Sequence, residues 1–76
     1  MSKKSHQRYL LCLDNRGYEA ALELRKLYVV VPDGEAKERG CVRVIDESGE
    51  DYLYSATRFF SLELPLAARR ALAKAS

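Results

Sequence analysis

Apolar and polar positions fall into short blocks along the chain, and most of the apolar blocks have the length of strands. Tyr9, Leu10, Leu11, Cys12 and Leu13 form a first run, stopped by Asp14, Asn15, Arg16 and Gly17, residues that favour turns. Leu27 to Val31 is β-branched or aromatic almost throughout and ends at Pro32, which has no N–H to give to a ladder. Cys41 to Asp46 and Asp51 to Tyr54 make two more runs, and Glu47, Ser48, Gly49 and Glu50 between them read as a hairpin loop. Ser55 to Arg58 then connects tightly into a fifth run, Phe59 to Leu64.

The remaining segments pattern differently. Tyr18 to Lys26 contains helix-favouring residues but is short and lies between two strands, so it reads as an extended or irregular loop, with a short helix as the alternative. Glu35 to Arg39 can form one helical turn closed by Gly40, and reads as a connection between strands. Pro65 suits a first helical position, and Leu66 to Ala75 follows as a short alanine-rich helix with Leu64, Ala68, Leu72 and Ala75 along one face. Residues 1–7 carry no core-forming pattern and read as a disordered tail. The expected organisation is therefore a tail at 1–7, a β domain at 8–64 and a terminal helix at 65–76. Five short strands leave no room for the crossovers that parallel pairing needs. An antiparallel sheet is expected, and closing it into a small five-stranded barrel would remove its exposed edges.

Composition narrows the picture. A chain of 76 residues buries little spare surface, so most of its apolar side chains have structural work first. Thirteen Lys and Arg against eleven Asp and Glu give a net charge of +2, short of the basic excess usual in dedicated nucleic-acid binders. No apolar run approaches the length needed to cross a bilayer, and the polar start Met1 to Arg8 lacks a signal-type apolar stretch, so a cytoplasmic protein with no membrane partner is expected. Cys12 and Cys41 fit neither a C-x-x-C pair nor a zinc pattern and read as small apolar residues.

Candidate chemistry is sparse. The one histidine, His6, lies in the polar tail, which removes serine- and cysteine-hydrolase arrangements. The four glycines are scattered, so there is no phosphate-cradling loop. Asp46, Glu47, Glu50 and Asp51 offer carboxylates but not the spacing of a calcium loop, and a solvated hairpin tip accounts for them. Five tyrosines are the more informative feature. Tyr52 and Tyr54 stand two apart and share one strand face, while Leu53 points to the other. If Leu53 fills the interior, both rings face outward beside Tyr18 or Phe60, where they could grip a proline-rich peptide or stack on bases. The alternative is that one or both rings cap the core with the hydroxyl in water. A basic set, Arg58, Arg69, Arg70 and Lys74 with Lys3, Lys4 and Arg8, could meet phosphates or simply keep the helix soluble.

The succession Leu11-Cys12-Leu13-Asp14-Asn15, Gly17-Tyr18-Glu19, Leu24 to Val30, Arg43 to Tyr54 and Phe59 resembles a group of small bacterial and phage proteins similar in strand plan to Src-homology-3-like barrels. The string Val44 to Tyr54 is its most specific part. That group carries a proline after the place of Tyr54 and a glycine before the place of Lys26, where this chain has Ser55 and Arg25. The resemblance implies a mainly β, five-stranded antiparallel Src-homology-3-like barrel with an added terminal helix, and implies no activity.

The functional expectation is a non-enzymatic module that binds a protein or peptide, with no cofactor or metal. Tyr18, Tyr52, Tyr54 and Phe60 would form the contact surface, and Glu47, Glu50 and Asp51 a polar rim. The alternatives are a nucleic-acid-binding small barrel and a metal-dependent enzyme using the 46–51 acidic cluster. Self-association into a homodimer, through a sheet edge or the helix, also fits so small a core.

Overall fold

The apolar runs become strands because alternate side chains can be buried on one face of a pleated sheet. The computed structural model describes residues 8–75 and places β1 at Tyr9–Cys12, β2 at Leu27–Val31, β3 at Cys41–Ile45, β4 at Asp51–Ser55 and β5 at Phe59–Ser61. All pairings are antiparallel, in the order β4-β3-β2-β1-β5. The expected tail at 1–7, with His6, Lys3 and Lys4, lies outside the described residues.

Register decides which side chains enter the core. Leu10 stands opposite Tyr28, Cys12 opposite Phe59, Val30 opposite Val44 and Val42 opposite Tyr54. These residues pack together in one core with Leu22, which enters from the long β1–β2 connection. Cys12, Leu22 and Val44 have no exposure at all. Cys12 and Cys41 are both free, the first buried and the second half-buried.

Residues 13–26 form turns rather than a regular helix. Leu22 N–H and Ala21 N–H both donate to Tyr18 O, at 2.9 Å each, and Asn15 Nδ2 donates to Leu22 O at 2.9 Å. Between β2 and β3 the chain makes a five-residue helix, α1 (Gly34–Glu38). Asp33 is extended and its Oδ1 accepts from Ala36 N–H at 3.1 Å, an N-cap that satisfies one of the free amides of the first turn. Gly40, at φ +74°, takes the left-handed conformation that ends it. Ala36 is buried, so this turn contributes to packing as well as connecting strands.

The closed barrel does not form: β4 and β5 are the two edges of the sheet, and no ladder joins them. The expected fifth strand Phe59 to Leu64 ends at Ser61, and three residues bonded to β1 are too few to reach β4 as well. Ala56–Arg58, a single 3-10 turn, redirects the chain from one edge to the other. After β5 the helix α2 (Leu66–Ala75) follows, with Leu64, Ala68 and Leu72 half-buried as one face. Among the described residues no helix is long and apolar enough to cross a membrane.

Candidate functional site

The candidate site grows from β4. Tyr52 and Tyr54 share the face of their cross-strand partners Val44 and Val42, both of which point into the core. The interior is therefore filled from the tyrosine side. Tyr54 is 3% exposed, whereas Leu53 is 42% exposed on the opposite face, so of the two arrangements open in the sequence it is the alternative that forms for Tyr54: its ring caps the core, with the hydroxyl on Asp46 rather than in water.

Tyr54 is the centre of an aromatic row. The Tyr18 ring meets it edge-on with centroids 5.0 Å apart, Tyr52 lies tilted at 5.4 Å, and Phe59 lies beneath at 6.2 Å. Such edge and tilted geometries each contribute roughly 0.5–1.5 kcal/mol beyond area burial. Tyr18 and Tyr52 remain 38% and 57% exposed, so two rings reach solvent on either side of a buried third. Tyr18 is also held from its face by the Arg58 guanidinium, 4.7 Å from the ring centroid. Arg58 is aimed by Asp14, donating to its backbone oxygen at 3.2 Å and to Oδ1 at 3.4 Å. Hydrogen bonds from Arg16 hold the Asp14 carboxyl down to about 2, so it stays charged.

Phe60 is not part of this row. It stands opposite Leu11 on the other face of the sheet, 54% exposed, because Phe59 takes the core position beside Cys12. Of the expected polar rim, Glu50 and Asp51 are exposed, and Asp51 alternates to the Leu53 side with Ile45 as its partner. Glu47 is exposed as well but already paired: its Oε2 accepts from Lys26 Nζ at 2.7 Å and from the Tyr28 hydroxyl. Of the expected basic set, Arg58 lies over the face of Tyr18, and Arg69 and Arg70 belong to α2.

Two tyrosine–carboxylate bonds beneath the site carry no signal in the local sequence. The Tyr54 hydroxyl donates to Asp46 Oδ2 at 2.7 Å, and Asp46 Oδ1 accepts from Ser48 N–H at 2.9 Å and Ser48 Oγ at 2.6 Å. The Asp-x-Ser-Gly string does announce the side-chain turn at Asp46, though not its tyrosine partner. Burial pushes the Asp46 carboxyl up, but the bonds from Ser48 and Tyr54 outweigh it and the net position is below the usual range. Glu47 also lies low, held by Lys26 and then Tyr28. Burial and the adjoining carboxylates push both the Tyr28 and Tyr54 hydroxyls upward, so both rings stay neutral.

Two exposed aromatic faces are fixed in position by a buried ring, a guanidinium and a hydrogen-bonded carboxylate. Among the described residues no three His, Cys, Asp or Glu side chains are grouped to hold a metal ion. Comparison with protein-family models, curated proteins and solved structures gives no match.

Proposed function

We propose that the protein is a non-enzymatic interaction module that holds an extended, proline-containing peptide across Tyr18 and Tyr52. The carrying observation is that these two exposed rings flank the buried Tyr54 at 5.0 and 5.4 Å, forming a preset aromatic surface. Proline-rich segments dock on aromatic-lined surfaces because their backbone is already extended and loses little entropy on binding. The strand order β4-β3-β2-β1-β5 and the 3-10 turn before β5 support reading the curled sheet as a Src-homology-3-like plan. Exposed Glu50 beside the hairpin favours a basic residue in the ligand and opposes a phosphate backbone.

The test is fluorescence anisotropy with three labelled probes: a proline-rich decapeptide with an arginine at one end, the same peptide with glutamate there, and single-stranded DNA. The arginine peptide should bind best, and Tyr18→Ala or Tyr52→Ala should each weaken it about tenfold, the effect of losing ~1.4 kcal/mol. Tighter, steeply salt-dependent binding of the DNA would reassign the surface to nucleic acid.

A further inference from the structure

The core has a sealed end and an open end. Cys12, Leu22 and Val44 are completely buried, while Leu10, Val30 and Phe59 keep 7–9% exposure. The latter three line a cavity of about 430 Å³ together with Val42, Pro32 and Ala56. Its walls come from β1, β2, β3, β5, the 3-10 turn and α1 with the connection that leads into it.

The charged lining is unbalanced. Arg8, Lys37 and Arg43 contribute three positive charges and Asp33 one negative charge, leaving an excess of two. Asp33 is already satisfied, since Oδ2 accepts from Arg43 Nε at 2.9 Å and Oδ1 from Ala36 N–H. Arg8 and Lys37 are exposed and have no side-chain partner among the described residues. An apolar floor beneath two cations with no partner among the described residues is complementary to a molecule with an apolar body and one anionic head.

We propose that this cavity binds a small apolar carboxylate, with its chain against Leu10, Val30, Val42 and Phe59 and its carboxylate between Arg8 and Lys37. At roughly 30 Å³ per water-sized atom the space accommodates on the order of a dozen non-hydrogen atoms, the size of a medium-chain fatty acid. The site shares Phe59 with the aromatic row but contains none of its tyrosines, and it does not rest on the peptide-binding reading.

The experiment is an amide chemical-shift titration of the full chain with decanoate, decanol and decyltrimethylammonium, each below its aggregation threshold. Decanoate should shift the amides of Val30, Lys37, Val42 and Phe59 saturably, decanol should bind at least tenfold more weakly, and the cation weakest of the three. Arg8→Ala with Lys37→Ala, both at exposed positions, should weaken decanoate at least tenfold and leave decanol unchanged. Val42→Phe should fill the space and abolish both, while Tyr52→Ala should change neither. Equal binding of the cation, shifts confined to other surfaces, or no saturable shift would overturn the proposal.

Discussion

The Tyr54 hydroxyl donates to Asp46 Oδ2 over 2.7 Å, joining a buried ring to a buried carboxylate at the start of the β3–β4 turn. This one bond ties the centre of the aromatic row to the hairpin that presents Tyr52. Tyr54→Phe removes the donor and leaves one oxygen of Asp46 without it, while Ser48 still serves the other. The expected cost is about 1–3 kcal/mol in urea unfolding, the penalty of a buried acceptor left unpaired. Tyr52→Phe, at an exposed ring, should cost under ~0.5 kcal/mol. Equal effects of the two substitutions would mean that the bond carries no stability.

Stability should fall toward both pH extremes, for opposite reasons of sign. Asp33, Asp46 and Glu47 have folded-state carboxyls below their ordinary values of 3.8, 3.8 and 4.5, so the unfolded chain takes up protons first as pH drops. Their contribution is present above about pH 5 and is lost as pH falls through the folded values; Asp14 extends the loss to about pH 2. Tyr28 and Tyr54 sit above their ordinary value of 10.0, so their contribution is present below that pH and is lost as pH rises past it. Urea midpoints across this range check both limbs, and a flat midpoint between about pH 5 and about pH 3 would contradict the acid limb.

Local patterning carried much of the fold and less of the site. Leu27 to Val31 and Cys41 to Ile45 are legible because β-branched runs between turn residues have few other uses. Whether the barrel closes is not legible, because it depends on how far β5 pairs, and Phe59 to Leu64 looks like a strand well beyond Ser61. The Tyr-Leu-Tyr triplet fixes that Tyr52 and Tyr54 share a face, but which face is inward is decided across the ladder by Val42 and Val44. Glu47 looks like a solvated rim charge in sequence. Its partners Tyr28 and Lys26 are brought to it by register, and no spacing rule connects them.

Leu22 is the one core residue supplied by the 13–26 connection, and it is completely buried. Leu22→Ala should cost about 2–5 kcal/mol, the usual penalty for a truncated and incompletely refilled core position. The connection is otherwise held by polar bonds, including Glu47 N–H to Ala21 O at 2.9 Å and Glu23 N–H to the Tyr28 hydroxyl at 2.7 Å. Those amides should lose hydrogen-exchange protection in the variant before the β1–β2 ladder does. Tyr18→Ala, removing a partly exposed ring from the same segment, should leave that protection largely intact.

Arg25 holds a backbone conformation that its side chain does not favour. Its φ is +61°, the only positive value at a non-glycine among the described residues, while Gly17, Gly40 and Gly49 occupy the other left-handed positions. The conformation is imposed by the entry into β2: Arg25 N–H donates to Cys12 O at 2.7 Å and Cys12 N–H to Lys26 O at 2.9 Å. A side chain in this region costs roughly 1–2 kcal/mol, and glycine removes that cost while giving back up to ~1 kcal/mol as unfolded-chain entropy. The backbone bond to Cys12 survives the substitution, and the exposed guanidinium has no partner among the described residues to lose. Arg25→Gly should therefore stabilise the protein by about 0.5–1 kcal/mol, seen as a higher urea midpoint with unchanged slope. Arg25→Ala keeps the strain and should leave the midpoint near that of the parent. If the glycine variant proved less stable than the alanine variant, the left-handed turn would not be a source of strain.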